Sequence, residues 1–488
     1  MVRFRPLLPL FLFLFALLIR LTLAALTQFD GLYGQDAFAY FYYALDLRAA
    51  VAAGEPPPPF AWPIGYPALV ALLSLVTGPQ AVAGQIVSLL SGAAIAPLVY
   101  LLVLAVRPQA ILGGMVAGTL TAVAAELALY SLAVTSDAAG LFWATLSAWL
   151  LLRYLSRWQT GWLVATAVAL SLAVMTRWVY GLLIIPWGVA ALLAAHEAHL
   201  PWSRRAAAAA AALLIGVVLI GSQFLGSVGG ELAHTADLRV VRWHPANAFK
   251  SAVQNSDGFF DYGRPTALYY LLPGGHPAYV LPLFTPFLLL GLWAMRRQRP
   301  AFIALLVGWP LTIYLFLAGM AWQNWRFPLA LFPPLVVLVG LGVDWAWARL
   351  AGRWRPLLLV YCAAALLGSA LWAVRDVGNF AGWANRSRQI ALSVSQQLPP
   401  EATLLAFGLT ATVQHYTPLD VRELFSLTEP ELAEVVAGAD VYLLINPENV
   451  QTQWVGKSPA QHVAWLQAHS HLVPIAHYDA FVLYRVAP

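Results

Sequence analysis

Eleven stretches of this chain are long and apolar enough to lie in lipid, and that restricts the fold before any motif is considered. A helix needs about 20 predominantly apolar residues to cross a bilayer. The runs fall at roughly 7–26, 80–104, 110–128, 137–152, 161–175, 179–195, 206–226, 278–295, 300–318, 328–348 and 356–374, the fourth and fifth being the shortest. The alanine run 206–212 opens the seventh. Composition agrees: 61% of the residues are hydrophobic and 10% are charged, against about 25% charged in soluble domains. The N-terminal "MVRFRPLLPLFLFLFALLIRLTLAAL" has the basic start and apolar run of a signal peptide. Its apolar stretch is longer than a signal core and is interrupted by Arg20, so it reads as an uncleaved first helix. The single cysteine, Cys362, excludes an internal disulfide framework and a multi-cysteine metal site.

Charge placement gives an orientation. Alternate loops carry Arg3 and Arg5; Arg107; Arg153 and Arg157; Arg204 and Arg205; Arg296, Arg297 and Arg299; and Arg349, Arg353 and Arg355. Basic loops stay in the cytoplasm, so the N-terminus is expected inside and the C-terminus outside. The external set then comprises 27–79, a short turn near 129–136, 227–277, 319–327 and the tail after 375. The expected architecture is a polytopic α-helical membrane protein of the inner (plasma) membrane, with a transmembrane domain over 1–375 and a small extracytoplasmic α/β domain over 376–488. In that tail "ATLLAFG" and "DVYLLIN" read as buried strands and "HLVPIAHYDAFVLYRV" as a closing hairpin. "TEPELAEVV" starts a helix with a capping-box pattern from Thr428 to Glu431.

Several chemistries lack their residues. There is no phosphate-binding glycine loop ending in Lys-Ser/Thr, and no Asp-x-Asp pair of the kind that holds a metal-bound nucleotide-sugar. "HEAH" at 196–199 and "HSH" at 469–471 are weak metal motifs without further ligands nearby. The formal charge of +5 would suit a polyanion partner in a soluble protein, but in a membrane protein the placement of charge matters more than its total, and nucleic acid is not expected. What remains is polar residues at the outer ends of helices. Asp36 opens "AFAYFYYALDLRAAVAAG", an interfacial helix whose aromatics, Tyr40 among them, suit the headgroup layer. An acid there can cap the helix and also face a cavity. Pro56–Pro59 form a stiff spacer, and "FAWPIGYPALVALL", with Trp62 and Tyr66, is a short apolar helix fixed at its entry by prolines. Asp137 starts the fourth run. Arg177, Arg326 and, less directly, Arg20 sit towards external helix ends, where positive charge is disfavoured. Arginine binds phosphate bidentately, so an anionic partner is expected.

"YGQDAFAYFYYALD" followed by "WPIGYPALVALL" resembles the first external loop of the C-type polytopic glycosyltransferases, a superfamily that includes protein O-mannosyltransferases and lipid A aminoarabinose transferases. "TSDAAGLFWATLSAWLLLRYL", "TRWVYGLLIIPW", "RFPLALFPPLVVL" and the ending "HYDAFVLYRV" resemble later segments in the expected order. Pro63-Ile64 stands where a double proline is common in the family. The resemblance implies a polyprenyl-phosphate-linked sugar donor and an acceptor hydroxyl of protein, lipid or glycan, with membrane lipids as surroundings and neither cofactor nor metal required. It makes Asp36 the general base of an inverting transfer. Arg326, Arg177 and Arg20 would bind the donor phosphate, Asp137 and Tyr40 would position the acceptor or a cation, and Trp62 and Tyr66 would form the loop platform. Two other readings share these features: a transporter or flippase of lipid-linked sugars, and a polysaccharide ligase or polymerase. The loop 227–277, with Arg239, Arg242, His244 and Lys250, leaves the latter open.

Overall fold

Each of the eleven apolar runs contains helix within its described part in the computed structural model, which describes residues 6–199, 201–224, 242–438 and 440–487. Arg3, Arg5, Arg239 and the stretch 227–241 of the loop lie outside the described residues. Among the described residues, eight helices are long and apolar enough to span a membrane. A ninth run is a bent pair, α5 (Ile111–Val123) and α6 (Ala125–Leu132), broken by 50°. The two remaining runs, Thr160–Thr176 and Pro282–Met295, are shorter apolar helices. The fourth run, short on paper, extends through the polar residues that follow it and becomes Asp137–Arg157.

The chain divides into two units, the first made of 1–31, 39–248 and 266–380, the second of 32–38, 249–265 and 381–488. The first is the helical bundle. Its best-covered helix is Phe332–Arg349, where every residue from Phe332 to Asp344 except Leu335 is buried. Glycines let neighbours approach it closely, the usual device where lipid supplies no hydrophobic drive between helices. A Cβ on Gly342 would lie 1.8 Å from the Phe287 carbonyl, and one on Gly113 would lie 2.1 Å from that of Gly340. Small side chains here are therefore obligatory. The first loop carries two helices, α2 (Gly34–Ala53) and α3 (Gly65–Thr77), with the four prolines between them.

The second unit contains a five-stranded sheet in the order β4-β3-β5-β7-β6. The strands are β3 (Thr403–Ala406), β4 (Asp420–Glu423), β5 (Val441–Ile445), β6 (His471–Tyr478) and β7 (Phe481–Ala487). β3 pairs in parallel with β4 and β5, while β7 pairs antiparallel with β5 and β6. The two strands and the closing hairpin read from sequence are present, and the Thr428–Glu431 capping box forms at the start of Glu429–Val436. β4 went unread because "DVRE" offers only one buried apolar residue, Val421. A separate two-stranded hairpin, β1 (Ala252–Asn255) and β2 (Gly258–Asp261), belongs to this unit.

Candidate active site

Three residues from separate parts of the bundle sequence meet in one ion cluster. Asp137 is the first residue of α7 (Asp137–Arg157), where the positive end of the helix dipole favours a carboxylate. Arg177 follows the helix Thr160–Thr176 in extended backbone. Arg326 sits in a short turn closed by its N–H donating to Asn324 Oδ1 at 2.9 Å, just before Phe327 starts the next helical segment, with Pro328 in its first turn. Asp137 Oδ1 lies 2.5 Å from Arg177 Nη1, and Oδ2 lies 3.4 Å from Arg326 Nε. The carboxylate is 4% exposed, the guanidinium side chains 18% and 17%. The two arginines thus sit over one buried carboxylate, and both remain partly exposed to solvent or a ligand. Arg177 also lies 5.9 Å from the ring of Phe327, and Arg326 5.8 Å from that of Tyr130.

A hydroxyl contact joins the first-loop platform to this cluster. Tyr40 Oη lies 3.1 Å from Ser136 Oγ, on the residue preceding Asp137. The Tyr40 ring packs between Phe60, Trp62 and Tyr66 at centroid distances of 5.9, 5.4 and 5.4 Å. Tyr43 stacks on Phe60 at 3.8 Å. Tyr66 is fully buried, donates to the Gly84 carbonyl at 3.1 Å and meets Ser88 Oγ at 3.0 Å, so it pins α3 to the helix Val82–Val106. Asp137, expected to position acceptor or cation, is paired with Arg177 and Arg326. Asp36 is the third residue of α2 rather than a cap outside it, on the part of that helix belonging to the second unit.

Arg20 has a different setting. It is 0% exposed on α1 (Leu8–Thr27), its Nε donating to Ser131 Oγ at 3.0 Å and its Nη1 to the carbonyls of Ala16 and Ala122 at 3.0 and 3.2 Å. The last carbonyls of a helix lack intrahelical donors, and Ala122 is in the last turn of the broken α5. Arg20 therefore supplies a donor to the break in a span, with its side chain fully buried.

The sequence reading missed Glu126, which is 3% exposed in the first turn of α6 and interacts electrostatically with Asp376, Asp137 and Arg326. Its signal was a lone acid closing an apolar run. His276 was missed too: its ring lies 4.5 Å from that of Trp325, and burial lowers its pKa against a smaller opposing effect of Asp376. In the "HEAH" segment Glu197 is taken by Arg299 at 2.9 Å. Among the described residues no three His, Cys, Asp or Glu side chains gather as a metal site.

Comparison with known proteins agrees with this architecture. Residues 74–224 match the family model of dolichyl-phosphate-mannose-protein mannosyltransferases. No curated protein sequence matches the chain. ArnT from Cupriavidus metallidurans bound to undecaprenyl phosphate is similar in structure with a TM-score of 0.60 at 15% identity, over 96% of this chain and 97% of that one. Its apo state gives 0.62 at 16%, with the same coverage. The oligosaccharyltransferase of Archaeoglobus fulgidus, in complex with zinc and sulfate, gives 0.61 at 13% over 90% of this chain and 68% of that one. The chain thus shares its fold with ArnT and with the archaeal oligosaccharyltransferase over at least 90% of its length.

Proposed function

We propose that this protein transfers a sugar from a polyprenyl-phosphate donor to an acceptor hydroxyl on the external side of the membrane. The observation that carries the reading is the pair of arginines held by Asp137, a preformed cationic pair at 18% and 17% exposure. A departing polyprenyl phosphate accumulates negative charge on its oxygens, and fixed guanidiniums stabilise such charge without reorganising. The ArnT structure with undecaprenyl phosphate supports the same donor class. The bond from the anomeric carbon to the phosphate oxygen breaks, and its electron pair leaves on the phosphate. The acceptor oxygen bonds to that carbon from the opposite face, and its proton passes to Asp36 as general base. The sugar is thereby inverted. Arg177 and Arg326 receive the phosphate, while Asp137 and the Tyr40–Ser136 contact hold the arginine-bearing elements in place. The arginine-rich loops lie on the cytoplasmic side.

The test uses purified protein in lipid, with polyprenyl-linked sugars and candidate acceptors. Asp36→Asn should lower release of polyprenyl phosphate by about 10²- to 10⁴-fold, the range of general-base contributions. Undiminished release from a folded Asp36→Asn protein would move the base elsewhere. If the native protein releases none with any donor and instead carries lipid-linked sugar across vesicle membranes, the transport reading takes its place.

A further inference from the structure

The second unit holds a cavity of about 630 Å³ that none of the preceding chemistry uses. It lies where β3, β4 and β5 end: Phe407 and Asn446 follow the last residues of β3 and β5, and Glu423 is the last of β4. With β3 between β4 and β5, this is the point at which successive connections of a parallel sheet diverge, the usual ligand crevice of α/β folds. We propose that this cavity binds the acceptor of the transfer reaction, and that the acceptor is a glycan without acidic groups. The proposal rests on the transferase reading above and adds the substrate class.

Three observations carry it. The lining includes two carboxylates, Asp257 and Glu423, and no Lys, Arg or His, so phosphate and uronic acid groups are repelled. An aromatic corner lines it: Trp454 meets Phe407 edge-on at 4.9 Å and Phe425 at 5.7 Å. Such faces pack against the C–H faces of sugar rings. Finally, the amides are ordered but not used up. Asn446 Oδ1 accepts from the Asn449 N–H at 3.1 Å, and Asn449 Nδ2 donates to Gln453 Oε1 at 3.2 Å. Asn446 Nδ2 and Asn449 Oδ1 are left, one donor and one acceptor, without a partner among the described residues. Oriented amides beside an edge-on aromatic corner suit hydroxyl groups, which donate and accept together.

The β1–β2 hairpin closes one rim. Gln453 Nε2 donates to the Asp257 carbonyl at 2.6 Å, and the Phe259 N–H donates to the Gln453 carbonyl at 2.8 Å. Gly258 has φ +107°, and a Cβ there would stand 2.1 Å from that carbonyl oxygen, so only glycine permits the approach. Another wall is Tyr33, Gly34, Gln35 and Phe38, the turn that carries Asp36. A hydroxyl of a glycan seated here is presented to the segment bearing the proposed base.

The experiment measures binding of maltotetraose, mannotetraose and chitotetraose to the full chain in lipid nanodiscs without donor, by saturation-transfer NMR, with tetragalacturonate as the acidic counterpart. At least one neutral tetrasaccharide should bind saturably through its ring C–H protons, and tetragalacturonate should not. Trp454→Ala and Asn446→Ser, the latter keeping an oxygen for the helix cap, should each weaken binding about tenfold. In the transfer assay both variants should raise the acceptor KM and leave the donor KM unchanged. Absence of binding across the neutral panel, preference for tetragalacturonate, or binding indifferent to both folded variants overturns the proposal. If Asp36→Asn shows the transferase reading to be wrong while binding persists and responds to the variants, the cavity stands as a glycan site and its acceptor role falls.

Discussion

Asp137 looked interchangeable with any helix-starting acid in the sequence, because Ser-Asp before an apolar run is common cap chemistry. Its meaning comes from Arg177 and Arg326, 40 and 189 residues further on, which no local pattern ties to it. Removing a buried partner leaves charges uncompensated, and about 3 kcal/mol is the usual scale; partial exposure of both arginines reduces it to about 1–2 kcal/mol here. Asp137→Asn should therefore loosen both arginines and raise the donor KM about tenfold with little change in the acceptor KM, as read in the polyprenyl phosphate release assay. A purely structural role would lower thermal stability without that split. Glu423 gives a pH-dependent counterpart. Burial raises its pKa against the opposing hydrogen bonds from Thr410 and Phe425. The folded state thus favours the protonated acid, so the charge costs no stability below the ordinary carboxylate value and an increasing amount as pH rises through the raised one. Glu423→Gln, whose side-chain oxygen can still accept from the Phe425 N–H at 3.2 Å, should melt higher than the native protein at pH 7, with the difference vanishing near pH 4.

Elements were the most legible level, and the departures have physical causes. Apolar run length located the eight helices that are long and apolar enough to span, and the bent pair beside them, because the backbone in lipid must bond to itself and helices of the required length do so. What run length could not register was the 50° break between α5 and α6, since Val123, Ala124 and Ala125 carry no proline or glycine to announce it. The break is held from outside: the Glu126 N–H donates to the Ala278 carbonyl at 3.0 Å, and Arg20 reaches the carbonyl of Ala122. Arg20 was therefore grouped with the phosphate-facing arginines on charge and position alone, although its surroundings are those of a helix-joining donor. Arg20→Gln keeps a donor for Ala122 or Ser131 and removes a buried cation. It should leave the donor KM within about twofold of native, whereas Arg326→Gln should raise it at least about tenfold, the scale of a charge-assisted bond to phosphate. Equal losses in the two variants would return Arg20 to the phosphate-binding group.

At the scale of the whole molecule, the sequence carries an orientation that no internal contact records. Asp137 and Arg157 mark opposite ends of a 21-residue helix, about 30 Å apart at 1.5 Å per residue. The acid end belongs to the arginine cluster proposed for the donor phosphate, and the other end opens the basic set with Arg153 and Arg157. Paired cations such as Arg107 with Asp344 at 3.0 Å and Arg299 with Glu197 at 2.9 Å occur in that same basic set. Insertion responds to Lys and Arg near helix ends and little to Asp and Glu, so these pairings leave the cytoplasmic assignment intact. Eleven crossings are the number that would put the α/β unit on the external side, where the acceptor is proposed to bind. Cysteine substitution tests this without background, because the single native thiol, Cys362, is 4% exposed. Val455→Cys replaces a residue 62% exposed in the second unit and should react with a membrane-impermeant maleimide in intact cells. Gln109→Cys, on the exposed turn after Arg107, should react only once the membrane is permeabilised. The reverse pattern would invert the orientation and place the proposed transfer on the cytoplasmic face. Labelling of both from the same side would mean an even number of crossings, and one of the two shorter helices, Thr160–Thr176 or Pro282–Met295, would then be the one that fails to span.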